Sequence, residues 1–214
     1  MPHDHHDHLS PSGHPYRADD DTALSYWQQM EIAIRELLIE KEITTAAEIA
    51  GQIDAMDSRN PSNGAEVVAR YWTDPDFAKA LITDASVATR EMGYDIGPMK
   101  LIALPNSPQV HNVVVCTLCS CYPRNLLGLP PDWYKSRAYR SRTVREPRKV
   151  LAEFGVALPD NTEVRVHDST ADMRYIVLPL RPAGTDNFTQ TQLANLVTRD
   201  SMIGTGLARS KQNL

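Results

Sequence analysis

The sequence predicts an α+β protein, an N-terminal helical arm followed by a layered α/β core domain that carries a cysteine claw suited to a metal ion. Three observations lead there. Helical periodicity with recognisable caps runs as far as Gly93. Short β-branched runs bounded by turn residues follow it. All three cysteines of the 214-residue chain fall in one run, Cys116-Thr117-Leu118-Cys119-Ser120-Cys121.

The elements follow in order. Residues 1–21 read as a disordered tail, with little to bury and with His3, His5, His6, His8 and His14 among aspartates, Pro and Gly. The plain reading is a solvated tail; a weak metal-collecting arm is the alternative. Residues 22–95 form the helical segment. Trp27, Met30, Ile34, Leu37 and Leu38 repeat at helical spacing. Thr45 and Glu48 fit a capping box for a second helix carrying Ile49, Ile53 and Met56. Ser58 to Gly64, with Pro61, reads as a polar break before a short helix around Ala65–Tyr71. Asp74-Pro75 reads as N-cap and first residue of another helix. Its face takes Phe77, Leu81, Asp84/Ala85 and Ala88, and Gly93 is placed to end it.

Residues 96–214 make the α+β core. Lys100–Leu104, Asn112–Val115, Val164–Asp168 and Tyr175–Leu178 read as strands, the third with unlike faces because Val164 and Val166 alternate with Arg165 and His167. Pro147–Phe154, ending at Gly155, reads as a short helix, and Thr189 with Gln192 caps another carrying Leu193, Leu196 and Val197.

The composition excludes several classes. A formal charge of −5 argues against a nucleic-acid surface. No run of about 18 apolar residues is present, so no membrane span is expected. The N-terminus lacks a basic region followed by an apolar one, which excludes an ordinary secretory signal and favours the cytoplasm, where thiols stay reduced.

Three thiols this close along one backbone can converge on a soft-ligand metal ion. A lone Cys-x-x-Cys also serves redox sites, but that reading leaves Cys121 unexplained. A closed zinc site needs a fourth protein ligand, for which His111 is the nearest upstream candidate; local packing or hydrogen bonding is its plainer role. A third arrangement adds the backbone amides of Ser120 and Cys121 to the three sulfurs and leaves one octahedral position open for catalysis.

The run Val113-Val114-Val115-Cys116-Thr117-Leu118-Cys119-Ser120-Cys121-Tyr122-Pro123 resembles the metal-binding signature of the nitrile hydratase alpha subunit. Leu127–Ser136, Tyr139–Arg142, Val144–Arg148, Arg174–Pro179, Arg181–Thr185 and Arg199–Gly204 resemble the same family, so the likeness covers roughly residues 23–204. It implies a low-spin Co(III) centre, with Fe(III) the lesser alternative, because Thr117 stands where cobalt members carry Thr and iron members Ser. It implies Cys116 as axial thiolate, Cys119 as sulfinate, Cys121 as sulfenate, and Ser120 supporting the site through its hydroxyl and amide. Cys119, Ser120 and Cys121 are then the catalytic residues. The implied reaction hydrates a nitrile to its amide. The attacking group is either metal-activated water or the Cys121 sulfenate oxygen. A beta-type subunit is the implied partner, in an α2β2-like hetero-oligomer, and supplies the arginines that bond the oxidised sulfurs; the chain alone is not a competent hydro-lyase. Asp168 and Arg174 match family positions and read as structural supports. One position departs: Arg124 stands where most members carry a pocket-lining Trp, and resembles the related subunit of thiocyanate hydrolase. That enzyme is the alternative function, and a non-enzymatic zinc-binding interaction domain is a second.

Overall fold

Several helix starts in this chain are set by short polar side chains whose oxygens accept the first free backbone N–H groups. The computed structural model describes residues 23–119 and 121–211. The expected tail at 1–21 and Ser120 lie outside the described residues. The elements are α1 (Tyr26–Glu40), α2 (Ala46–Asp57), α3 (Pro61–Thr73), α4 (Pro75–Thr83), α5 (Ala85–Glu91), β1 (Lys100–Pro105), β2 (Val110–Val115), α6 (Arg124–Leu127), α7 (Asp132–Lys135), α8 (Arg137–Arg145), α9 (Pro147–Glu153), β3 (Glu163–Asp168), β4 (Met173–Leu178), α10 (Gln190–Ala194) and α11 (Arg199–Ile203). The mixed helix-and-strand class is the one expected. Among the described residues, no helix is long and apolar enough to cross a membrane.

The chain divides into two units, Met1–Gly51 and Gln52–Leu214. In the first, Ser25 and Gln28 close a capping box on α1, and Glu31 and Arg35 pair one turn apart at 3.2 Å. No residue of α1 is buried; Trp27 is 78 % exposed, and Tyr26, Met30, Ile34 and Leu37 are exposed with it. Thr45 and Glu48 exchange the expected capping bonds at the start of α2.

In the second unit, two expectations change. The break expected at 58–64 is shorter, because Asn60 caps α3 through Ser62 N–H and Pro61 is its first residue. Proline there lacks only an N–H that would have had no helical partner. The single helix expected after Asp74 is two. Asp74 caps α4 and Asp84 caps α5, accepting from Phe77 N–H and Val87 N–H respectively. Phe77, Leu81, Ala85 and Ala88 are all buried, so the apolar face runs through a backbone break that periodicity alone does not reveal.

The four strands lie where expected, each a residue or two longer. They form two parallel ladders. β1 pairs with β4 from Lys100↔Met173 to Pro105↔Leu178, and β2 with β3 from Val110↔Glu163 to Val115↔Asp168. Helices α4 and α5 pack against β1, α8 against β2, and α9 against β3. Gly204, just past α11, takes φ of 90°, and a Cβ there would lie 2.0 Å from the Asn112 carbonyl oxygen on β2. Glycine alone permits that approach.

Candidate metal centre

The ladder register builds the site. β2 ends at Val115, one residue before Cys116, and its register partner on β3 is Asp168. Asp168 is therefore placed against the first turn of the cysteine loop. Thr117 N–H donates to its Oδ1 at 2.9 Å and the Thr117 hydroxyl to its Oδ2 at 2.5 Å. One carboxylate thus satisfies a loop amide and a loop hydroxyl together. The Ser169 N–H closes the same corner on the Val115 carbonyl.

Three further side chains hold the loop, all from α7 and α8. The Tyr139 hydroxyl donates to the Val114 carbonyl at 2.7 Å, steadying the strand that feeds Cys116. The Tyr134 hydroxyl donates to the Cys121 carbonyl at 2.9 Å, steadying the outgoing leg. Arg140 Nη1 donates to the Cys119 carbonyl at 2.7 Å, between the two. Burial pushes the Tyr134 and Tyr139 hydroxyls well above the usual phenol range, so both remain donors at any physiological pH.

Within this frame the three sulfurs converge. Cys116 is buried, Cys119 is exposed and Cys121 is intermediate, and the three Sγ atoms lie within 4.8 Å of one another. Cys116 Sγ is 3.6 Å from Cys119 Sγ, which is 3.2 Å from Cys121 Sγ. Two sulfurs each about 2.3 Å from one ion stand roughly 3.3 Å apart at a right angle and roughly 3.8 Å apart at a tetrahedral one. The 3.6 Å spacing falls between these and the 3.2 Å spacing lies close to the right-angle value, so the donors fit a single soft-ligand metal. The Cys119 N–H also points at Cys116 Sγ, at 3.3 Å. Burial, then contact with the Cys119 and Cys116 sulfurs, pushes the Cys121 thiol up to about 12. A metal ion seated here must displace that proton.

His111 does not join the cluster. It is buried on β2, where its Nε2 donates to the Gly204 carbonyl at 2.7 Å and its Nδ1 faces Asn106 Nδ2 at 3.3 Å. Burial holds its pKa below the usual histidine value, which keeps the ring neutral. The local role weighed from sequence is the one the structure gives it. His167, on the neighbouring strand, donates to Asn112 Oδ1 at 2.8 Å and is likewise held neutral by burial.

Arg174, the second residue of β4, ties down the turn before it, donating from Nη1 to the Thr170, Ala171 and Met173 carbonyls. Its charge lowers the Cys121 pKa against the stronger effect of burial. Arg124 opens α6 three residues beyond Cys121, with an exposed side chain. Pro123, Asn125, Leu126 and Arg174 line a small cavity with Ile96 and Met99.

Sequence reasoning assigned no role to Tyr134, Tyr139 or Arg140. They stand 13, 25 and 21 residues from the atoms they hold. The signal available was compositional: two tyrosines in helices otherwise dominated by charge, each with only its ring and hydroxyl to bury.

Residues 25–206 match the family model for the nitrile hydratase alpha chain. A low-molecular weight cobalt-containing nitrile hydratase subunit alpha from Rhodococcus rhodochrous is 52 % identical over 176 residues, covering 80 % of this chain and 84 % of that protein. The thiocyanate hydrolase subunit gamma of Thiobacillus thioparus is 43 % identical over 198 residues, covering 87 % of this chain and 82 % of the other. A solved recombinant thiocyanate hydrolase with partially modified cobalt centres superposes with a TM-score of 0.83 at 42 % identity, covering 88 % of this chain and 93 % of that one.

Proposed function

The chain belongs to the nitrile hydratase alpha-chain family, and from that premise we propose that it is the metal-holding subunit of a cobalt nitrile hydratase, converting a nitrile to its amide together with a beta-type partner. One observation carries the reading. Three thiol sulfurs converge within 4.8 Å, in a chain 52 % identical to a cobalt-containing alpha subunit.

Cys116, Cys119 and Cys121 would hold the ion, with the backbone amides of Ser120 and Cys121 completing the donor set. When bound, the metal supplies Lewis-acid activation of the nitrile or of water, the step that neutral water performs too slowly. The chain's own residues supply the frame. Asp168 fixes the incoming turn through Thr117, Tyr134 fixes the outgoing leg through the Cys121 carbonyl, and Arg140 holds the Cys119 carbonyl between them. Such pinning keeps the donors in place through turnover, which is what an open catalytic site requires. In this reading Cys119 and Cys121 carry oxygen and Cys116 does not. Their oxygens would meet guanidinium groups of the partner, because Leu118 and Cys119 are exposed at the outer rim of the loop.

The test is elemental analysis and peptide mass spectrometry on the chain purified with its partner, with nitrile hydration assayed alongside. One cobalt per chain, oxygen on Cys119 and Cys121, and amide product are expected. Zinc, three unmodified thiols and no hydration would replace the proposal with a zinc-binding domain.

A second reading is favoured by Arg124 and by the 43 % identity to a thiocyanate hydrolase subunit. If Arg124 reaches the substrate, its permanent charge favours an anion. Arg124→Trp then shifts relative kcat/KM from thiocyanate toward small apolar nitriles by about tenfold, roughly 1.4 kcal/mol. An unchanged profile removes Arg124 from the pocket and leaves nitrile hydration standing.

A further inference from the structure

Helix α8 treats its arginines in two ways. Arg142 is paired within the chain, reaching Glu146 Oε1 at 2.6 Å and Glu153 Oε1 at 2.5 Å, and it holds both carboxyls below their usual range. Arg137, Arg140 and Arg145 meet no carboxylate among the described residues. Arg137, Ser141, Val144 and Arg145 recur at helical spacing on the outer face, while Tyr139 and Thr143 are buried on the inner one. With Thr117 and Arg140 the outer residues line an open groove of about 430 Å³ that contains no acidic side chain.

Three features say what fits there. The chain as a whole is acidic, with 27 Asp and Glu against 22 Lys and Arg, so a face of unpaired cations is a local reversal of sign. Arg140 Nε is buried with no acceptor, a donor left costly unless something from outside meets it. The groove is continuous with the cysteine loop through Thr117 and through Arg140, whose Nη1 bonds the Cys119 carbonyl, and the rim of that loop is open, with Leu118 84 % exposed. A segment that covers the loop from the Thr117 side meets this face.

We propose that the outer face of α8 is the seat for a carboxylate-bearing segment of the beta-type partner subunit, and that its arginines orient the partner over the cysteine loop. The inference rests on the function proposed above and adds the chemistry of the contact. Guanidinium forks suit paired carboxylates, giving register and encounter rate together.

The experiment uses the chain with its partner subunit and measures their dissociation constant from about 0.05 to 0.5 M NaCl, a range over which screening shortens from beyond 10 Å to a few Å. Arg137→Glu/Arg145→Glu should weaken association about tenfold or more at low salt and flatten the salt dependence, whereas Arg137→Lys/Arg145→Lys should retain most of both. Cobalt content of the variant chain reports whether the loop remains intact, since neither residue touches it. An unchanged dissociation constant and salt slope in the Glu variant would overturn the proposal. So would unaltered assembly with a raised KM for thiocyanate alone, because the groove would then serve a small anion. A cobalt-free complex without nitrile hydration that still shows the charge-dependent association would sink the proposed activity and leave the seat in place.

Discussion

Tyr134→Phe isolates one atom of the frame around the cysteine loop. The ring is fully buried and packs edge-on against Tyr122 with centroids 5.2 Å apart and against Trp133 at 6.1 Å, contacts a phenylalanine keeps. What disappears is the hydroxyl that donates to the Cys121 carbonyl at 2.9 Å. No cavity opens, so the cost is that of a part-buried carbonyl losing its donor, about 1–3 kcal/mol. For a chain of this length, each kcal/mol lowers the melting temperature by about 2–4 °C, so a loss near the middle of the range corresponds to roughly 4–8 °C. The measurement is thermal unfolding of the metal-free chain by circular dichroism, because a bound ion would mask the change by stabilising the folded state. Cobalt retained after dialysis against a chelator is the second readout. Tyr139→Phe is the comparison: it loses a more deeply buried bond, to the Val114 carbonyl, on the strand rather than at a ligand residue. Both variants should melt lower, and Tyr134→Phe should shed cobalt faster. Equal cobalt retention in the two would refute the idea that this hydroxyl fixes the outgoing leg of the loop.

Two other outcomes follow from the geometry. Gly204→Ala should be strongly destabilising, because it combines a left-handed backbone with a Cβ 2.0 Å from the Asn112 carbonyl oxygen; the backbone cost alone is about 1–2 kcal/mol, and a melting temperature within a degree of the parent would count against the packing described. Cobalt uptake by the metal-free chain should tighten with rising pH. The Cys121 thiol, pushed up to about 12, is protonated throughout the neutral range, so capture releases a proton and affinity should rise roughly tenfold per pH unit for each proton displaced. Titration at several pH values checks this, and a flat profile between about pH 6 and 8 would refute it.

The parts legible in the sequence were those governed by local chemistry. Alternating or β-branched runs located all four strands, and the Thr45/Glu48 and Thr189/Gln192 pairs located helix starts. Asn60-Pro61 carries the same cap-and-proline signature as Asp74-Pro75, yet the surrounding Ser, Asn and Gly residues disguised it as a loop. Asp84 was counted on a helical face although its carboxylate caps a new helix, since a cap and a solvent-facing residue look alike in periodicity. Helices α6 and α7 are too short to show a period, and α8 has little apolar stripe because four of its nine residues are arginine. The three sulfurs could be seen from spacing alone. The groups holding them could not, since Asp168 lies 51 residues from Thr117 and only the parallel register brings them together.

That register also sets an order of events during synthesis. When Cys121 leaves the ribosome, the chain holds every thiol of its sequence, but neither Asp168 nor Gly204 has been made. The contacts joining Thr117 to Asp168 and His111 to Gly204 span 51 and 93 residues. Contacts so distant along the chain form late and slowly, after much shorter loops have closed. A growing chain at that point has its three thiols without the contacts that fix their geometry, so on the function proposed above selective capture of cobalt belongs to the finished polypeptide. In pulse-labelled translation, chains released before β3 is complete should bind cobalt no better than an unstructured peptide carrying the same cysteines.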